Sequence, residues 1–143
     1  MLNTEDIQTI SNTVCRDMLG LEFESGEADG TRMLSMVACI AISGDYRAVV
    51  EVAMTPKAAN EVTTAMCGLE PGEVQESDVA DSIGEIVNII GGNIKGAIPG
   101  ETKLSLPCVS LNADESQENS SPEKRQVFFR LAGEPFAVTL IPG

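Results

Sequence analysis

One stretch, Ser77 to Ile94 (SDVADSIGEIVNIIGGNI), constrains the rest of the chain. At ~100° per residue, Val79, Ile83, Ile86, Val87, Ile90 and Ile94 fall on one side, and Asp81, Glu85, Asn88 and Gly92 fall on a narrow stripe opposite. That is an amphipathic helix with a dense apolar face, which has to be buried against a second layer. Beside the stripe stand Gly84, Gly91 and Gly92. Each costs a helix roughly 0.5–1 kcal/mol relative to alanine. Their placement along one acid–amide pair, Glu85 and Asn88 at i, i+3, implies a close approach to this face. Either a partner inserts there, or a neighbouring helix of the same chain packs tightly against it.

The remaining segments supply the second layer. Thr4 reads as an N-cap, with Glu5 and Asp6 in the first turn. Ile7, Ile10, Val14 and Met18 then repeat at helical spacing up to Gly20. Three strand patterns follow, at Leu21–Glu27, Met33–Ser43 and Tyr46–Met54. Short turns at Ala28-Asp29-Gly30 and Gly44-Asp45 join them into a meander. Thr55-Pro56 opens a second helix, which Gly68 ends. After the central helix, Thr102–Leu111 reads as a strand in which Pro107 marks an edge or a bulge. Asn112–Arg125 is polar and reads as a loop or hairpin tip, and Gln126–Leu131 and Phe136–Leu140 are the last strands. The expected fold is an α/β (α+β) sandwich in one domain, residues 1–143. Its order is αβββααβββ, with a six-stranded, mostly antiparallel sheet and helices packed on it.

Composition narrows the chemistry. Apolar residues are 43% of the 143, but aromatics are 3% and Trp is absent, so the core has to be aliphatic. A formal charge of −13 argues against nucleic acid and anionic membranes, because both are bound through cationic side chains. With no His, imidazole acid–base chemistry and His metal sites are excluded. Cys15, Cys39, Cys67 and Cys108 form no CxxC and lie in apolar contexts, so they read as small buried thiols rather than zinc ligands or disulfides. No Gly-rich phosphate loop is present. Asp81 and Glu85, one turn apart, could share a metal, but two helical carboxylates read more simply as solvated surface. No metal site is expected. The opening MLNTEDIQ lacks a basic start and an apolar run, and the apolar-rich run Met33–Ile42 is too short to span a bilayer. A cytoplasmic chain without membrane insertion is expected.

Read whole, DSIGEIVNIIGGN followed by LSLP resembles the chemotaxis phosphatase family that includes CheX, CheC and FliY. The family pattern is an Asp or Ser, three residues, Glu, two residues, Asn, then a Pro. It falls here on Asp81, Glu85 and Asn88, and on Pro107 across a shorter gap than the family's. The leading TVCRDMLGLEFESGE and the order of elements resemble the CheX branch, as does the single copy of the motif. The resemblance implies a phosphatase for the phosphoaspartate of a CheY-like response regulator, working as a homodimer. Asn88 would hold the attacking water and Glu85 would meet a lysine of the partner. Asp81, Gly84, Ile89 and Gly92 would form the surrounding contact face. The chain itself would bind no cofactor, with Mg²⁺ coming from the regulator. The other reading is a non-catalytic module that docks a regulator or belongs to a flagellar switch. Such a module has no need of Asn88.

Overall fold

Alternation along the strands decides how this chain is layered. The computed structural model describes residues 2–21, 23–27, 34–113 and 123–143. The helices are α1 (Thr4–Leu19), α2 (Pro56–Cys67) and α3 (Glu76–Gly96). The strands are β1 (Phe23–Ser25), β2 (Met36–Gly44), β3 (Ala48–Met54), β4 (Thr102–Leu104), β5 (Cys108–Ser110), β6 (Arg125–Leu131) and β7 (Glu134–Pro142). They form one antiparallel sheet in the order β1-β6-β7-β3-β2-β4, with β5 also paired to β2.

Ala38, Ile40 and Ile42 of β2 lie opposite Val52, Val50 and Ala48 of β3, and Val138 and Leu140 of β7 continue those rows. All are buried and all share one sheet face. The helices cover that face: α3 lies over β2 and β3, α2 over β3 and β7, and α1 over β1 and β6. The core is aliphatic in the middle, as the composition requires. Its fully buried aromatics gather at the β1 end, where Phe23 stacks on Phe129 with centroids 4.5 Å apart and Phe136 meets Phe23 edge-on at 5.6 Å.

The sheet departs from the expected one in two ways. Among the described residues it has seven strands, not six, because Thr102–Leu111 is broken. Leu104 pairs with Ile42 and Cys108 with Cys39, so the three residues 105–107 face only Ile40 and Ala41. This is a bulge, with Pro107 as the residue that cannot donate. Ser105 repairs the ladder: its N–H donates to the Ala41 carbonyl at 2.9 Å, and its hydroxyl accepts from the Ala41 N–H at 2.9 Å. The first three strands are also not a meander. β1 pairs with β6 at the far edge of the sheet, where Phe23 enters the aromatic cluster and Gly26 N–H donates to the Phe128 carbonyl.

The helix ends follow local chemistry. Asn3, one residue before Thr4, caps α1: its side chain accepts from Asp6 N–H at 2.9 Å while the Asp6 carboxylate accepts from Asn3 N–H at 3.0 Å. Thr55 caps α2 as expected, accepting from Ala58 N–H and donating to the buried Glu134 carboxylate. The expected turn at 28–30 and most of the polar stretch 112–125 lie outside the described residues.

Candidate functional site

The site is the outer stripe of α3, which starts one residue earlier than Ser77. Its first turn is held by Asp78, whose carboxylate accepts from Gln75 N–H at 3.0 Å. Val79, Ile83, Ile86, Val87, Ile90 and Ile94 are all buried, the last five completely, so α3 cannot rotate without exposing its core face. That anchorage fixes what the opposite face presents. Asp81, Glu85 and Asn88 are exposed, Gly92 and Ile89 are half-buried, and Gly84 is buried. Neither Glu85 nor Asn88 makes a side-chain hydrogen bond among the described residues. A carboxylate and a carboxamide one turn apart are thus left aligned and unsatisfied except by water.

Gly84 and Gly91 report a different neighbour from either one expected. A Cβ on Gly91 would stand 2.7 Å from Ile40 Cγ2, and one on Gly84 would stand 3.4 Å from Val109 Cγ2 and 3.7 Å from Pro107 Cβ. The close approach is therefore made by this chain's own β2 and by the bulged segment, and no helix lies there. Gly84 is covered by Pro107 and Val109 and is not open to a partner. Gly92, with Leu104 Cδ1 at 3.9 Å, has space around it. The bulge brings Pro107 against the same helical turn that carries Glu85 and Asn88.

Leu106 is the residue that the sequence pattern hid. In an unbroken strand it would share the inward face of Leu104, but the extra residue turns it out, and it is 89% exposed. The signal was the Ser-Leu-Pro triplet itself, a β pattern interrupted by a proline. Val109 and Pro107, which Leu106 directly precedes, lie against Gly84 on one side of the polar stripe, and Ile89 borders the other.

The thiols also differ from expectation. Only Cys15 is buried, and burial pushes its thiol up to about 12. Cys39 is half-buried, and Cys67 and Cys108 are exposed. Among the described residues no group of three or more His, Cys, Asp or Glu side chains is placed to hold a metal ion. None of the described helices is long and apolar enough to cross a membrane.

Solved structures share this architecture. The CheX chain in a CheX–CheY–BeF₃–Mg²⁺ complex from Borrelia burgdorferi is 21% identical and superposes with a TM-score of 0.79, covering 96% of both chains. A chemotaxis protein CheX from Desulfovibrio desulfuricans is 22% identical, with a TM-score of 0.76 over 98% of both. The Vibrio vulnificus CheX is 17% identical, with a TM-score of 0.78 over 96% of this chain and 93% of that one. At such identities the likeness shows the fold alone. No curated protein matches the sequence. The profile of the family described as chemotaxis phosphatase CheX does, over residues 36–130, a stretch from β2 into β6 that contains the whole of α3; the chain belongs to that family.

Proposed function

We propose that this chain hydrolyses the phosphoaspartate of a CheY-like response regulator, with Asn88 positioning the attacking water and Glu85 gripping the regulator. The observation that carries this reading is the pair itself: exposed, unpartnered within the described residues, and held on a helix whose other side is locked into the core. Membership of a family named for its phosphatase agrees with it, as does the CheY partner in the B. burgdorferi complex.

An acyl phosphate is already reactive, so the chain needs only to place a nucleophile and stabilise charge. The carboxamide oxygen of Asn88 accepts a hydrogen bond from a water, aligning its lone pair with phosphorus opposite the aspartyl oxygen. The P–O bond to the aspartate breaks, and the products are a free carboxylate and inorganic phosphate. An amide suits this place because a second carboxylate would repel the phosphoryl group. Glu85 pairs with a lysine of the regulator, and this sets orientation as well as affinity. Asp81 extends the acidic face. Mg²⁺ belongs to the regulator in this scheme, as a metal that neutralises phosphoryl charge. Gly92 leaves room for the regulator's approach, and Ile89 and Leu106 give it apolar surface on either side of the stripe. Gly84 contributes indirectly, by seating Pro107 and Val109. The working form is taken to be a cytoplasmic homodimer with one site per subunit, on the strength of the family resemblance.

The test is the decay of phosphoaspartate on a CheY-like regulator with Mg²⁺, alone and with the native chain or Asn88→Ala. Faster decay with the native chain, lost in a variant that still binds, is the expected result. Binding without faster decay would make the chain a docking module and sink the hydrolytic reading.

A further inference from the structure

Two cysteines that the phosphatase reading leaves unused stand opposite each other. Cys39 on β2 and Cys108 on β5 are register partners in an antiparallel pair. Their neighbours Ile40 and Val109 point into the helical layer, the first at Gly91 and the second at Gly84. By strand alternation both thiols therefore lie on the sheet face away from the helices. Burial raises the Cys39 pKa above its ordinary value, and Cys108 and then Glu51 raise it further, which places the two sulfurs within electrostatic reach. Directly opposed residues in an antiparallel pair have Cα atoms about 4.5–5.5 Å apart, inside the range a disulfide bridges. Cys15 is sealed in the core, and Cys67 lies at the end of α2 beside Ser82, on the other side of the sheet.

We propose that Cys39 and Cys108 form a redox-active dithiol that closes to an intrachain disulfide, pinning β5 to the body of the sheet. The oxidant is a low-molecular-weight disulfide. The exposed Cys108 thiolate attacks one of its sulfurs, forming a mixed disulfide and releasing one thiolate. The Cys39 thiolate then attacks the Cys108 sulfur, and the second small thiolate leaves. The two cysteines lose two protons and two electrons, and the oxidant is reduced to two thiols. An exposed cross-strand bridge of this kind is readily reduced, so the step is reversible. Its structural consequence lies close to the candidate site. β5 is only three residues long, it follows a bulge, and it carries the Val109 that covers Gly84. Freed, it is held at that edge by one short ladder and by Val109 against α3, whereas bridged it moves only with β2.

The test needs no response regulator and stands apart from the phosphatase reading. The purified chain is incubated with oxidised glutathione, quenched with acid and mapped without reduction. The expected product has lost two hydrogens, links the Cys39 and Cys108 peptides within one chain, and shows two titratable thiols after denaturation instead of four. Amide exchange across 108–110 then slows in the oxidised form and recovers with dithiothreitol. Cys108→Ser and Cys39→Ser each abolish the link, whereas Cys67→Ser leaves it. Glutathione retained on Cys108 with Cys39 still a free thiol, a link through Cys67, or a link between two chains would each overturn the proposal.

Discussion

The two flanks of α3 are built from the same helix and serve opposite ends. On the outer stripe, Asp81, Glu85 and Asn88 keep their side chains and are exposed to water. On the flank beside it, Gly84 and Gly91 give theirs up, and this chain's own strands move into the space. The first flank costs the fold nothing, because water satisfies exposed polar groups, and it leaves them available to something external. The second costs helix stability, because glycine weakens a helix. That cost is offset internally, since Ile40 packs directly against α3 at Gly91 and holds it on the sheet. The stripe can be presented rigidly because its neighbour is packed so closely.

The contrast is sharpest if each flank is broken separately. Asn88→Ala should slow phosphoaspartate hydrolysis by about 100-fold, the scale on which positioning of a nucleophile operates. The urea midpoint should rise slightly if it moves at all, because the side chain is exposed and alanine is the better helix former, by a few tenths of a kcal/mol. A lowered midpoint would place Asn88 among the residues that hold the fold. Gly91→Ala should do the reverse. Its methyl would meet the β-branched, buried Ile40 at 2.7 Å, with no flexible end to give way. Overpacking outweighs the gain in helix propensity, for a net loss of about 1–2 kcal/mol read as a lower urea midpoint at unchanged slope.

Glu85→Gln removes charge from the stripe without changing its shape. Affinity for the regulator should fall about tenfold, or ~1.4 kcal/mol. The difference from the native chain should shrink as ionic strength rises, because an exposed ion pair is screened. A difference that is the same at low and high salt would mean that Glu85 acts through its hydrogen bonds and not through its charge.

What the sequence disclosed about these regions follows the range of the forces. The period of Ser77–Ile94 and the Thr55-Pro56 helix start are set by residues within a turn or two, and both are where the pattern puts them. The cap of α1 moved by one residue because Asn3 completes a reciprocal box with Asp6, a choice between two adjacent polar side chains. The strand partners were another matter. Nothing local tells Phe23 that its stacking partner is Phe129, so the pattern puts β1 beside β2, whereas it pairs with β6. Pro107 announced an edge or a bulge, but the outward turn of Leu106 depends on counting three residues against two across the sheet. The glycines were legible as a close approach. The identity of what approaches was not, because Ile40, Pro107 and Val109 are brought to α3 by the sheet.

The finest separation of the two flanks compares Gly84→Ala with Gly92→Ala. The added methyl groups have room: the nearest atoms are Val109 Cγ2 at 3.4 Å for the first and Leu104 Cδ1 at 3.9 Å for the second. Each variant should therefore keep part of the helix-propensity gain, roughly 0.5–1 kcal/mol, and raise the urea midpoint slightly. Hydrolysis distinguishes them. At Gly84 the methyl points under a segment of this chain, whereas at Gly92 it enters the stripe that a regulator would meet. Gly92→Ala should therefore be more stable and slower, and Gly84→Ala more stable with a smaller change in rate. If the two variants slow equally, the regulator reaches over the bulged segment as well, and the boundary between the flanks lies at Leu106 instead of along the helix. If neither slows, Gly92 is there for Leu104, and only Asp81, Glu85 and Asn88 remain on the side that faces a partner.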